Sequence, residues 1–356
     1  MADTLKRKAV FLAAQLALLA AASLPARAYY GFRDPHVDTS YFVKARVRYW
    51  FTSSSALTRA YYLMPASDWS PPTSDIQMGW TNEYKPMDAS FPLVSLELQP
   101  IKGLSAGFEV GDNSFTGKFR QDEWLHANNR VLYLLNGVTW YSPQHRSYAM
   151  GRGRLTGRAR QYAADAYLRV YKSKRTRTDD DFQLNHAADI FAGYSWYETS
   201  TRIDDWYAVY STDFFVPTHP VGRVAGMDSV SRLRVYGWRG GFRDQIRISE
   251  KLYAESKLGF APRAKFTGQD HWNLRSDLKD PSLRRKANGK LFDFSVCLSW
   301  KFWKQFELEG GYQVWSFTST LGKEIYYYTD GSTAEYKMDK IKIFRKGAFL
   351  SLSWKY

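Results

Sequence analysis

Residues 41–51 read YFVKARVRYWF, and their polarity alternates along the chain. The odd-numbered positions carry only aromatic and aliphatic side chains, whereas Lys44, Arg46 and Arg48 stand at even-numbered positions. Because successive side chains of a β-strand point to opposite faces, this segment as a strand has one apolar face and one cationic face. Such a strand suits a membrane barrel, in which lipid lies outside and a polar lumen lies inside.

The same period of two recurs through the rest of the chain. Alternation is clear at residues 94–98, 104–110, 164–170 and 292–300. Further strands are predicted at residues 182–198, 230–243, 251–264, 305–318 and 341–356. The pattern therefore predicts an all-β fold, a ten-stranded antiparallel transmembrane β-barrel.

The connections between these strands alternate between short and long. The short ones are residues 99–103, 173–181, 244–250 and 301–304, and the long ones are 53–90, 112–160, 199–229, 265–289 and 319–339. Outer-membrane barrels have short periplasmic turns and longer extracellular loops, so the sequence predicts five long extracellular loops. Many short strands are also compatible with a soluble sandwich. The loop lengths and the aromatic carboxyl end at Tyr356 favour the barrel.

The amino-terminal residues have the features of a secretory signal peptide. A basic start at residues 6–8 is followed by an apolar stretch, and residues 26–28 read ARA, a small-x-small cleavage pattern. Residues 1–28 are therefore predicted to be a signal peptide and residues 29–356 a single barrel domain. Export by this signal predicts a location in the outer membrane of a Gram-negative bacterium, with the long loops facing the cell exterior.

The chain contains 50 Lys and Arg residues against 35 Asp and Glu residues, a formal charge of +15. No nucleic-acid-binding motif accompanies this charge, so nucleic acid is not a predicted partner. Part of the charge is predicted to be paired inside the lumen, because buried charges need partners. The strand register assigns to the lumen Lys44, Arg46, Arg48, Arg169, Arg232, Arg234, Glu97, Glu109, Asp165, Glu255, Asp293, Glu307 and Glu309.

The long loops carry much of the remaining positive charge. It lies at Arg146, Arg152, Arg154, Arg158, Arg160, Arg275, Lys279, Arg284, Arg285 and Lys286. An anionic outer leaflet attracts such loops electrostatically, so outer-membrane lipid, and lipopolysaccharide in particular, is the predicted partner. A solvated surface without a specific partner is the alternative interpretation.

Acid and histidine side chains stand out in two of the long loops. Asp122 and Glu123 precede Trp124 in the second loop, and Asp270 and His271 lie in the fourth. If these loops face each other over the barrel mouth, the carboxylates and the imidazole could hold a water and activate it as a nucleophile. An ordinary hydrogen-bonded pair is the alternative. No cofactor or metal ion is predicted, since neither a Gly-rich phosphate loop nor a zinc-type Cys/His cluster occurs.

These segments resemble the omptins, ten-stranded outer-membrane endopeptidases of Gram-negative bacteria. Leu93–Val110 is similar to the second omptin hairpin, Gln121-Asp122-Glu123-Trp124 follows at the expected distance, and Ile246–His271 aligns with an omptin turn, strand and catalytic loop without a gap. The resemblance implies a peptide or protein substrate. It also implies catalysis by an Asp-x-Asp pair that faces an Asp-x-His pair across a cleft, with an activated water as nucleophile.

The catalytic motifs depart from the omptin pattern. Gln121 and Gln269 stand where the resemblance places acids, and Asp122 and Asp270 are each displaced by one residue. The leading hypothesis is an omptin-like aspartic-type endopeptidase, a hydrolase whose candidate catalytic residues are Asp122, Glu123, Asp270 and His271. The alternative is a non-catalytic barrel that acts as an adhesin or surface-binding protein. A small pore fits less well, since neither sign of charge dominates the predicted lumen.

Overall fold

The computed structural model describes residues 41–63, 76–127, 132–135, 138–141, 146–173, 185–211, 221–249 and 251–356. The predicted signal peptide, residues 1–28, lies outside the described residues, as does the start of the predicted barrel domain. No helix in the described part of the chain has the length and apolar character needed to cross a membrane.

The described residues form β-strands of very different lengths. In chain order they are β1 (Val43–Leu63), β2 (Ile76–Ile101), β3 (Leu104–Ala127), β4 (Leu132–Leu135), β5 (Val138–Tyr141), β6 (Arg146–Lys172), β7 (Asn185–Ser211), β8 (Gly222–Arg223), β9 (Asp228–Arg247), β10 (Leu252–His271), β11 (Leu278–Trp303), β12 (Phe306–Ser319), β13 (Gly322–Tyr328) and β14 (Thr333–Lys355).

Ten of these strands form a closed antiparallel ring. Its order is β1-β2-β3-β6-β7-β9-β10-β11-β12-β14, and β14 pairs back with β1. β13 continues the line of β12, because it pairs with the same two neighbours, β11 and β14. β8 adds a short pairing to β7, and β4 and β5 form a separate two-stranded sheet. The predicted ten-stranded antiparallel barrel is confirmed.

The strands extend far beyond the segments that the sequence predicted. β6 has 27 residues, which gives a length of about 90 Å and a height of about 70 Å at the usual barrel tilt. The lipid-facing band of such a barrel is only about 25 Å tall. Most of residues 112–160 and 265–289, predicted to be loops, are therefore barrel wall above the membrane.

The polarity of the wall inverts where it leaves the membrane. This inversion explains why the sequence predicts loops where the structure has strands. In the lower part of β1, Val47 and Phe51 face outward and are exposed, while Arg48 is buried inside. In the upper part of β6 the apolar residues face inward: Leu155 and Ala159 are buried, whereas Arg154 is exposed. The outward apolar residues of the lower barrel form the surface that contacts lipid.

Ion pairs fill the lower lumen. Arg239 binds both Asp165 and Asp293, and its side chain is only 4% exposed. Lys44 and Arg46 share Glu309, with N–O distances of 3.0 and 2.7 Å. The predicted pairing of lumen charges is confirmed for these groups.

The structure corrects the lumen assignment of Arg232 and Arg234. Both are exposed on the outer face of β9, because their level lies above the membrane, where the polarity of the wall is inverted. Arg239 and Arg243 of the same strand lie inside instead, and sequence analysis did not assign them there.

Apolar and aromatic side chains fill the lumen above the ion pairs. They include Trp50, Phe91, Trp315, Phe317 and Phe349, all of which are at most 2% exposed. Arg345 lies between three rings, with its guanidinium carbon 4.5 Å from the Trp50 centroid and 4.4 Å from that of Phe91. The third ring belongs to Tyr197, at 4.9 Å. This packing argues against a pore through the described part of the barrel.

Candidate functional site

Glu123 and Gln121 face the inside of the barrel in its upper wall. In the register Glu123 lies opposite Trp80, which lies opposite the buried Ala60 of β1. Directly opposed residues of an antiparallel pair share a face, so all three face inward. Gln121 Nε2 donates to Glu123 Oε1 at 3.3 Å.

Asp122 faces the other way. It lies opposite Thr81, which lies opposite Arg59 on the outer face of β1. Trp124 shares this face and donates from Nε1 to Thr81 Oγ1 at 3.2 Å. One carboxylate oxygen of Asp122 is buried without a hydrogen-bond partner among the described residues. The strand thus separates Asp122 from Glu123, since adjacent side chains alternate.

Asp270 lies inside the barrel near the end of β10 and is 3% exposed. Ser231 Oγ of the neighbouring strand donates to its Oδ1 at 2.7 Å. Arg285 Nη2 of the other neighbouring strand lies 2.8 Å from its Oδ2. Both carboxylate oxygens of Asp270 are therefore engaged within the protein.

His271 points to the outer face, opposite Val230. Its side chain is 42% exposed, and its Nδ1 lies 3.3 Å from Oδ1 of Asp280. The structure thus does not bring Asp270 and His271 to the same face of the wall. The physical reason is that β10 stays extended through residue 271, so consecutive side chains alternate.

Asp270 belongs to a buried polar cluster that sequence analysis did not predict. Arg285 and Glu324 are both 0% exposed and form an ion pair of 2.5 Å between Nε and Oε2. Trp80 Nε1 donates to the other oxygen of Glu324 at 3.0 Å. The pKa of Arg285 is raised well above its ordinary value, because the nearby Asp270 and Glu324 carboxylates outweigh the effect of burial.

The cluster reaches the wall that carries Glu123. Trp80, the opposed neighbour of Glu123, makes the hydrogen bond to Glu324 and packs against Tyr336 with centroids 4.8 Å apart. Tyr326 lies 5.7 Å from Trp80 and 5.1 Å from Tyr336. An aromatic and ionic network therefore spans the interior at this level. No group of three or more potential metal ligands occurs among the described residues.

A groove of about 420 Å³ lies on the outer face of β7, β9, β10 and β11. Its wall combines aromatic side chains at the upper edge of the lipid-facing band with basic side chains above them. The aromatic residues are Tyr194, Trp196 and Tyr236, and the basic residues are Arg232, Arg234, Arg284 and Lys286. Arg234 is paired with Glu198 at 2.6 Å. In the described part of the chain Arg232, Arg284 and Lys286 have no ion pair with a carboxylate, although Arg284 packs on the Tyr327 ring.

Comparison with solved structures identifies the fold. The crystal structure of the outer membrane protease OmpT from Escherichia coli matches with a TM-score of 0.65 at 12% identity, over 88% of this chain and 96% of that chain. The resemblance to omptins is thus confirmed at the level of the fold, and the fold supports an outer-membrane location.

Other solved barrels match more weakly. A Pseudomonas aeruginosa FadL homologue has a TM-score of 0.29 at 10% identity, covering 91% of this chain and 93% of that chain. The translocator domain of NalP from Neisseria meningitidis has a TM-score of 0.21 at 6% identity, covering 97% of both chains. These scores are too low to indicate a shared fold. No protein-family model and no curated protein matches the sequence.

Proposed function

We propose that this outer-membrane barrel is a surface-binding protein that holds the phosphate groups of lipopolysaccharide in its outer groove. The groove carries the proposal: aromatic rings lie at the level of the lipid boundary, and directly above them lie basic groups, three of which have no carboxylate partner among the described residues. Aromatic side chains are enriched at membrane interfaces. Each Lys or Arg near an anionic surface contributes about 1 kcal/mol of attraction.

A binding role also agrees with the state of the acid and histidine residues. A general base needs to reach the proton that it removes within hydrogen-bond distance. Asp270 is buried with both oxygens engaged, and His271 faces outside beside Asp280. These contacts favour a non-catalytic barrel over activation of a water by these two residues together.

The proposal is tested by measuring lipopolysaccharide bound to the purified barrel in detergent. The test variant is Arg232→Gln/Arg284→Gln/Lys286→Gln. A matched control, Lys118→Gln/Arg120→Gln/Arg152→Gln, removes the same charge from exposed positions on β3 and β6. We expect the first variant to lose most of the bound lipid and the control to keep it. Equal loss in both, or binding of dephosphorylated lipid A as strong as that of the phosphorylated form, would contradict the proposal.

Omptin-like peptide hydrolysis is the second candidate function. It is favoured by the inward position of Glu123 beside Gln121 and by the shared fold with a protease. A fluorogenic-peptide assay in lipopolysaccharide-containing membranes separates the two functions. Hydrolysis by the wild type that is lost in Glu123→Ala, Asp270→Asn and His271→Ala would establish the peptidase. No hydrolysis above that of an empty membrane supports the binding role.

A further inference from the structure

The Asp270–Arg285–Glu324 cluster contains two carboxylates and one guanidinium in a site closed to solvent. The exposed fractions of Arg285, Glu324 and Asp270 are 0%, 0% and 3%. Glu324 lies 2.5 Å from Nε of the guanidinium, and Asp270 lies 2.8 Å from its Nη2. A planar guanidinium suits such a pair of carboxylates better than a compact ammonium does.

The cluster belongs to a chain of contacts that begins and ends on β2. From Trp80 the contacts pass through Glu324 on β13, Arg285 on β11 and Asp270 on β10. From Asp270 they continue to Ser231 on β9, whose Oγ accepts from Tyr84 on β2 at 3.4 Å. We call this set the mouth clasp. Its members are Trp80, Tyr84, Ser231, Asp270, Arg285 and Glu324.

Arg285 is the only positively charged member of the mouth clasp, whereas two members are acidic. Removing one partner from a buried charge network leaves an uncompensated charge, which is strongly unfavourable. Without the Arg285 side chain, two buried carboxylates and a vacated space of guanidinium size would remain. Such a site has the charge and the space to take up a guanidinium from solution.

We propose that Asp270 and Glu324 form a binding site for one guanidinium group, which the chain fills with its own Arg285. The side chain thereby acts as a built-in ligand that joins β2 to the opposite wall and keeps the extracellular end of the barrel closed. This inference goes beyond the proposed function and does not depend on the lipopolysaccharide groove.

Arg345 provides a matched comparison within the same barrel. It is also almost fully buried, at 1% exposed. Its guanidinium lies among aromatic rings and donates to Gln161 at 3.1 Å, and it has no ion pair among the described residues. Arg345→Ala therefore leaves a space of similar size in which no carboxylate of the described residues was paired with the guanidinium.

The first test is chemical rescue, measured as the Tm of the purified barrel at millimolar guanidinium chloride, with sodium chloride at equal ionic strength as reference. We expect Arg285→Ala to have a lowered Tm that rises with guanidinium and saturates. Arg345→Ala and the triple variant Arg285→Ala/Asp270→Asn/Glu324→Gln should show no such rise. The proposal is overturned if Arg285→Ala responds in the same way as either of these variants.

A second test does not require Arg285→Ala to fold. Phenylglyoxal modifies accessible arginines, and mass spectrometry of peptides reports the modification at residue 285. We expect Arg285 to be protected in the wild type and to become reactive in Asp270→Asn/Glu324→Gln, because the two negative charges that pair with its guanidinium are then lost. Protection that persists in a folded double variant would show that the carboxylates do not hold Arg285, and would overturn the proposal.

Discussion

Cations inside the lumen and cations on the outer wall of this barrel have different partners. Arg239 inside is nearly inaccessible and binds two carboxylates. Arg232 on the outer face of the same strand is exposed and has no ion pair in the described part of the chain. On this strand the cation without a carboxylate partner among the described residues is therefore the one on the outer wall. The difference shows that the position of a residue relative to the membrane decides which face of a strand is charged.

Replacing a lumen cation is expected to have the largest effect. Arg239→Ala leaves Asp165 and Asp293 buried, and the loss of one partner from such a network costs about 3–5 kcal/mol. Urea unfolding in detergent, followed by tryptophan fluorescence, measures the change. The quadruple variant Arg239→Met/Asp165→Asn/Asp293→Asn/Lys257→Met should recover part of the loss, because it also removes the Lys257 ammonium that lies 2.7 Å from Asp165. A change in the free energy of unfolding below about 1 kcal/mol for Arg239→Ala would contradict the expected difference between lumen cations and outer-wall cations.

An intermediate effect is expected from alkaline pH at the mouth clasp. Burial, followed by the nearby Asp270 carboxylate, raises the pKa of Tyr84. Burial and the Glu324 carboxylate raise the pKa of Tyr326 well above its ordinary value. Because folding raises both values, their contribution to stability is complete below the unfolded pKa of about 10 and is lost as the pH rises above it.

The loss should reach about 1.4 kcal/mol per pH unit for each tyrosine that ionises on unfolding. Thermal unfolding between pH 9 and pH 11 measures it. Tyr84→Phe and Tyr326→Phe should each make the decline shallower. The matched control Tyr207→Phe, at an exposed tyrosine of the outer wall, should leave the slope unchanged. An equal slope in all four proteins would show that folding does not raise the pKa of Tyr84 or of Tyr326.

The smallest effect on stability is expected on the outer wall. Arg232→Ala removes an exposed charge, and such substitutions change the free energy of unfolding by at most about 0.5 kcal/mol. Its effect should appear in lipid binding instead, as a weaker affinity for lipopolysaccharide and a shallower salt dependence. Destabilisation comparable to that of Arg239→Ala would mean that the outer cations are structural.

The membrane-spanning part of the fold could be predicted from the sequence because each strand there alternates between lipid-facing and lumen-facing residues. The upper wall could not, because its outward positions are polar and its inward positions include small residues. In β6, for example, Gly157 stands at an inward position beside the outward Arg158. The sequence therefore has a polar and Gly-rich composition there, which is typical of loops, although the backbone continues as a strand.

The candidate site was predictable only as a set of chemical groups. The adjacent acids Asp122 and Glu123 could be found in the sequence, and strand alternation places them on opposite faces. The partners of Asp270 lie 15 and 54 residues further along the chain, at Arg285 and Glu324. Only the register of β11 with β10 and β13 brings these residues together.

The long, continuous strands of the upper wall also determine where this protein can accept foreign sequence. An insertion next to Arg158 would interrupt the ladders to both β3 and β7. The turn at residues 329–332 is exposed outside the ladders, and Gly331 there has a φ of 95°. Epitope tags or displayed peptides should therefore be tolerated at such hairpin tips, because insertion there leaves the hydrogen bonds of the wall intact.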